Sequence, residues 1–233
     1  MLTLGLDACA LTATVSLVED GKVLALLQST NRLNHSVRLL PMIEEILKIS
    51  ERGLTDLDLI AISAGPGSFT GVRIGISTVK GLAFGDTIPC VPVSTLEALA
   101  YTQRDTDALV CPLMDARRGE FYQALFQASH GDLKRLYDDR PIDDQTLYRE
   151  LSQTGKRVLL CGDGAELFSC AHADDPAFWL ASPVTRLQNA ASVALIGEAR
   201  YQDGFFVKAS ALAPIYLRQS GAERKRQKTD KEV

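Results

Sequence analysis

Short apolar blocks of period two open the chain. Residues 1–7 read as a strand, residues 13–19 alternate loosely, and residues 22–28 read as a third strand after the dipeptide Asp20-Gly21. Asp-Gly between apolar runs predicts a tight hairpin, because a type I′ turn needs positive φ at both central residues. The period then lengthens. Val37, Leu40, Ile43 and Leu47, joined by Leu39 and Ile46, fall on one face of a helix over residues 35–51. Asn34 stands where an N-cap is needed, and Pro41, which removes one backbone hydrogen bond, is expected to bend the helix. Residues 59–63 are continuously apolar up to Ser63, which predicts a strand covered on both faces. A glycine-rich stretch leads to a helix over 72–84, and a strand over 88–93 follows. Ser94-Thr95-Leu96-Glu97 has the spacing of a capping box for a helix reaching residue 103.

The second half repeats the theme. Strands are predicted over 108–115, 120–127 and 133–138, with Arg117-Arg118-Gly119 as the first turn. A helix over 143–152, a strand over 157–161, a loop at Gly162-Asp163-Gly164 and a helix over 188–201 complete it. Strands interleaved with helices indicate an α/β layer structure. Two lobes are expected, residues 1–100 and 101–218, with helix 188–203 a candidate to pack back onto the first. Residues 219–233 carry Arg224, Lys225, Arg226, Lys228 and Lys231 with hardly any apolar residue, and are expected to be a disordered tail.

Composition narrows the function classes. Hydrophobic residues make up 46% and charged residues 23%, enough apolar content to bury a core. A formal net charge of −4 argues against a broad nonspecific grip on nucleic acid. The five cysteines form no CxxC spacing, which points to reduced, mostly buried thiols rather than a zinc site. Asp7 interrupts the first apolar stretch, against a secretory signal, and no run approaches the ~20 residues of a membrane helix. A soluble, cytoplasmic protein is expected.

The most informative segment is Gly65-Pro66-Gly67-Ser68-Phe69-Thr70-Gly71-Val72-Arg73-Ile74-Gly75, between a buried strand and a helix. Such a loop can cradle phosphate with backbone N–H groups at a helix N-terminus, or its glycines can serve tight packing; spacing alone leaves both open. It has neither the Gly-Lys-Ser/Thr of a P-loop nor a nucleophile elbow. Asp7 ends the first strand and Asp115 ends the strand opening the second half. One carboxylate per lobe, with Gly162-Asp163-Gly164 beyond, is the order of the actin–hexokinase sugar-kinase ATPases. His35 has Arg38 and Leu39 at the positions where a helical metal site needs its second ligand.

These residues closely resemble the bacterial TsaB family, also called YeaZ. The glycine-rich segment is the most specific match. It is supported by Asp7, Thr14-Val15-Ser16-Leu17, His35-Ser36-Val37-Arg38-Leu39-Leu40-Pro41, Pro92-Val93-Ser94-Thr95-Leu96, Asp115-Ala116-Arg117-Arg118-Gly119-Glu120-Phe121-Tyr122 and Pro214-Ile215-Tyr216-Leu217-Arg218. The resemblance implies a two-lobed actin–hexokinase-like (ASKHA) fold, each lobe a mixed sheet with helices. It also implies a noncatalytic scaffold that supports a TsaD-type transferase in forming N6-threonylcarbamoyladenosine next to the anticodon of tRNAs reading codons that begin with A. A TsaE-type ATPase, tRNA held through the complex and a homodimer in the transferase's absence complete the implied partners. No cofactor of its own is implied; ATP and a divalent metal belong to the partner subunits.

The implied partner interface is formed by two helices and includes His35, Leu39, Met42, Arg73, Gly75, Ile76, Val79 and Lys80. Ile76→Glu or Gly75→Arg is accordingly expected to leave a folded chain that no longer pairs. Candidate residual nucleotide contacts are Asp7, Gly67, Ser68, Asp115, Gly162 and Gly164. Two departures favour a scaffold: Leu39 stands where the transferase carries the second histidine of its metal pair, and Ala8-Cys9 replaces the hydroxyl residue that usually follows the first aspartate. The alternative is an ATPase or phosphotransferase of the same fold.

Overall fold

A computed structural model describes residues 1–31 and 34–218; the expected tail lies outside the described residues. The first sheet is built from β1 (Leu2–Asp7), β2 (Thr12–Glu19), β3 (Lys22–Thr30), β4 (Leu59–Gly65) and β5 (Cys90–Ser94), in the order β3-β2-β1-β4-β5. Asp20 and Gly21 both take positive φ, as a type I′ turn requires. β1 pairs antiparallel with β2 and parallel with β4.

Both faces of this sheet are covered. α1 (His35–Ile49) and α2 (Phe69–Leu82) lie on one face, and α6 (Ala190–Gln202) on the other. β4 shows the division: Ile60 and Ile62 join Leu39, Ile43, Val72, Ile76 and Val79, while Leu59 and Ala61 join Val193 and Ile196. That is why its sequence is apolar without alternation. α6 comes close because Gly5 and Gly197 have no side chain; a Cβ on Gly197 would overlap that of Ala61.

The second sheet comprises β6 (Ala108–Asp115), β7 (Glu120–Ser129), β8 (Asp132–Asp143), β9 (Val158–Cys161) and β10 (Phe178–Leu180). Its order, β10-β9-β6-β7-β8, is that of the first sheet with each strand's counterpart in place. α4 (Asp144–Gln153) and α5 (Ala165–Ala171) close its outer side. α3 (Thr95–Tyr101) lies between the lobes, against β4 and β5 of one sheet and β6, β7 and β8 of the other. Its Leu96 and Leu99 are fully buried with Val110, Phe126 and Leu159 in a core that runs through both lobes. No helix among the described residues is long and apolar enough to cross a membrane.

Several elements differ from the sequence reading. α2 starts three residues early, at Phe69, because the Ser68 hydroxyl accepts from Gly71 N (3.3 Å) and caps it there. Asn34 precedes α1 without a side-chain capping bond. Only half of the capping box forms: Ser94 Oγ accepts from Glu97 N (3.2 Å), but the Glu97 carboxylate turns to Arg200 (2.5 Å) and Arg135 (3.4 Å). β8 runs five residues further than its apolar pattern suggested. It is an edge strand, where Pro141 costs no ladder bond on its open side, and its pairing with β7 is bulged. β10 is too short to signal itself.

Candidate functional site

A cleft of about 630 Å³ lies between the lobes on the side away from α3. Ser68, Thr70 and His35 line its first-lobe wall, Asp115, Tyr122 and Asp163 its second-lobe wall. Tyr216 and Arg218 lie at its mouth.

The glycine-rich loop forms the cleft edge, and its glycines face the protein. A Cβ on Gly67 would overlap the Cys9 carbonyl oxygen and lie 2.8 Å from Cys9 Cβ; one on Gly71 would overlap the Ala8 carbonyl. Ser68 N, a donor that a phosphate cradle would need, donates to Cys9 O at 2.7 Å. Of the two readings left open by the spacing, this geometry is tight packing: the loop is sewn onto the turn between β1 and β2.

Asp7 lies beneath the cleft and not in its wall. It is buried and accepts from Ser63 Oγ (2.6 Å) and Cys9 N (2.8 Å). Burial pushes its carboxyl up to about 6, against the lowering effect of those two bonds. Gly162 and Gly164 are also not in the wall. They bring the segment after β9 onto β6, with Cβ positions 3.0 Å from the carbonyl carbons of Leu113 and Met114 respectively. Of the candidate nucleotide contacts, Asp7, Gly162 and Gly164 therefore occupy packing positions behind the wall, while Gly67, Ser68 and Asp115 border the cleft.

Sequence reasoning did not single out Asp163 as a charge. Burial first, and then the nearby charges of Asp115 and Asp7, push its carboxyl up to about 6, and its Oδ1 has no hydrogen-bond partner among the described residues. Asp115 accepts from Arg117 N (2.7 Å) and pairs with the Arg117 guanidinium (3.1 Å). Among the described residues, no three His, Cys, Asp or Glu side chains gather as a metal site.

His35 is a staple. Its Nε2 donates to Ala10 O (2.6 Å), and its Nδ1 accepts from Arg38 Nη2 (3.1 Å). An arginine can only donate, so the ring is the neutral Nε2–H tautomer. Burial, with the Arg38 charge, holds its pKa below the usual histidine value. Arg38 itself is buried and also donates to Ser29 O (3.1 Å) and Leu11 O (3.3 Å). The His35-Ser36-Val37-Arg38 motif therefore pins the start of α1 to the tip of the first hairpin.

The expected partner-interface residues divide. Leu39, Ile76 and Val79 point into the first lobe's own core, 1%, 5% and 0% exposed. Gly75 is also inward, its Cβ position 3.1 Å from Ile62 Cδ1, and Met42 packs against the same core. Leu39, Gly75, Ile76 and Val79 are therefore corrected from partner contacts to positions used by the first lobe's own sheet, and Met42 is half-buried. Arg73 remains on the outer face, where its guanidinium lies 3.8 Å from the centroid of the Phe69 ring. Lys80 donates to Ser210 O at 3.2 Å. The outward surface consists of Val37 (66% exposed) and Leu40 (46%) on α1, which the helical pattern places on the core face, and of Ser77 and Gly81 on α2, small residues that suit close approach of another helix. A second, shallower groove of about 480 Å³ runs along this face past Ser36, Arg73 and Ser77.

Residues 29–151 match the family described as TsaD: tRNA N6-adenosine threonylcarbamoyltransferase. The chain is 35% identical over 167 residues to the tRNA threonylcarbamoyladenosine biosynthesis protein TsaB of Bacillus subtilis, covering 72% of this chain and 73% of that one. It is 30% identical over 228 residues to the protein of that name from Escherichia coli, 97% and 98% of the two chains. The solved structure of YeaZ from Pseudomonas aeruginosa superposes with a TM-score of 0.75 at 26% identity, over 93% of this chain and 99% of that one. The fold is the two-lobed actin–hexokinase type, with one strand order used in both lobes. With these likenesses running through both lobes, the chain belongs to the TsaB (YeaZ) family of tRNA threonylcarbamoyladenosine biosynthesis proteins.

Proposed function

We propose that this protein is a noncatalytic scaffold subunit. In this reading it pairs with a TsaD-type transferase, works alongside a TsaE-type ATPase, and supports formation of N6-threonylcarbamoyladenosine next to the anticodon of tRNAs reading codons that begin with A. The observation that carries the reading is the glycine-rich loop. Its Ser68 N–H is taken by Cys9 O and its glycines by the backbone of Ala8 and Cys9, so the segment that would bind phosphate in an active enzyme serves to brace the first lobe. ATP and a divalent metal belong to the partner subunits. The docking face is the outer side of α1 and α2, where Val37, Leu40, Ser77 and Gly81 are free of the core, and a homodimer through the same face forms when the transferase is absent.

The test is reconstitution of tRNA modification with each component omitted in turn. Modified tRNA is expected only when this chain and the transferase are both present; undiminished modification without this chain refutes the scaffold role. The second reading, an ATPase or phosphotransferase, has one observation in its favour, the unpartnered Asp163 Oδ1 beside Asp115 at the cleft. Steady ATP turnover by the isolated, pure chain, abolished in Asp163→Asn, would favour that reading instead.

A further inference from the structure

After α6 the chain returns across the first lobe and ends its described path by touching the second. Val207 bridges to Cys90, and Ser210 receives Lys80 and holds Asp86. Ile215 N then donates to Ala64 O at 2.7 Å. Its carbonyl lies where a Cβ on Gly65 would be, and Gly65 takes φ +117°, a conformation that excludes most other residues. Tyr216 stacks on Phe69 with centroids 4.8 Å apart and accepts a hydrogen bond from Arg73 Nε at 2.8 Å. Two residues later, Arg218 donates to Ala116 O (3.3 Å), in the turn between β6 and β7, and forms an ion pair with Glu120, the first residue of β7. That turn directly follows Asp115 in the opposite wall of the cleft.

Among the described residues, polar contacts join the two lobes on both sides of the cleft. On one side is α3, with Glu97 held by Arg200 and Arg135, and Asp139 held by Arg135 (2.5 Å) and Ser94 (2.5 Å). On the other, across the mouth of the cleft, is the segment 214–218. The geometry points to a latch: residues 214–216 are seated on the first lobe by Ala64, Gly65, Phe69 and Arg73, Arg218 grips the second lobe at Ala116 and Glu120, and the cleft widens only when that grip is released. Gly65 and Arg73, two members of the most specific motif in the chain, thereby acquire a role that neither catalysis nor partner pairing requires. The Arg218 and Glu120 side chains are 17% and 33% exposed, sheltered enough for the pair to resist screening yet near enough to solvent to exchange.

The test measures lobe separation in the full chain. Spin labels are placed at Lys22→Cys on β3, away from the docking face, and Leu167→Cys on α5, both exposed, in a Cys170→Ser background and diluted with unlabelled chain; the other cysteines are buried. A single short distance population is expected for the otherwise unaltered chain. Arg218→Ala and, separately, Glu120→Gln should each add a longer population, and Arg218→Glu with Glu120→Arg should recover the short one. Circular dichroism checks that each variant is folded. If Arg218→Ala fails to fold, the milder Glu120→Gln decides. An unchanged distance distribution in the folded single variants overturns the latch.

Discussion

Gly81 offers a clean separation of folding from partner binding. It lies in the last turn of α2, and a Cβ built there meets nothing within 4 Å among the described residues. Glycine in a helix costs about 0.5–1 kcal/mol relative to alanine, and a cation in the last turn of a helix contributes about 0.3–1 kcal/mol. Gly81→Arg should therefore stabilise the isolated chain by about 1–2 kcal/mol, a rise in melting temperature of roughly 2–8 °C for a chain of this size. In the complex the same side chain enters the proposed docking face. An unpaired charge buried there costs about 3–5 kcal/mol, which weakens binding by roughly 10²- to 10⁴-fold. Ile76→Glu, read from sequence as the equivalent change, is its opposite: Ile76 is 5% exposed and faces the core. Losing that side chain costs about 2–5 kcal/mol, and the buried carboxylate adds to it, against a total stability of about 5–15 kcal/mol. Thermal melts of both variants, with titration calorimetry against the transferase from the same organism, provide the comparison. Gly81→Arg binding with unaltered affinity would refute the docking face, and a lowered melting temperature would refute the packing argument.

Gly71→Ala forces a Cβ onto the Ala8 carbonyl and should cost at least about 1–3 kcal/mol; a melting temperature equal to that of the unaltered chain would contradict the sewn-loop reading. Asp163 contributes a pH dependence whose sign follows from its raised carboxyl pKa, 3.8 to about 6. The folded state holds the proton more tightly, so this group's contribution is fully favourable below pH 3.8 and is lost as pH rises through about 6. A rise of this size is worth roughly 3 kcal/mol, and Asp163→Asn should flatten that part of the stability–pH profile measured by urea unfolding. Glu97→Ala removes the carboxylate that Arg200 and Arg135 share at the α3 joint, leaving Arg135 to Asp139 and Arg200 to Pro92 O, and a loss of about 1–2 kcal/mol in chemical denaturation is expected because the groups are only partly exposed.

Much of the architecture was legible along the chain because it depends on local period and turn chemistry. The Asp20-Gly21 hairpin needs only two residues able to take positive φ, and the unbroken apolar run of β4 already states that both its faces are covered. The repeated order of hairpin and α/β elements similarly announced two lobes, which the matching strand orders bear out. Direction was not legible. The stripe of Leu39, Ile76 and Val79 looked like surplus apolar surface because a helical pattern shows which residues share a face, not whether that face is met by the chain's own sheet or by a partner. The glycines posed the same difficulty. A missing Cβ signals close approach, but only the folded chain shows that Gly67 and Gly71 approach Ala8 and Cys9, that Gly65 approaches Ile215, and that Gly81 approaches nothing. Asp163 and Arg218 acquire their significance from groups 48 residues back in Asp115 and 98 residues back in Glu120, separations read from the numbering. Electrostatic and hydrogen-bonded contacts of that kind are set by where the lobes bring the chain together in space, and no window of sequence contains them.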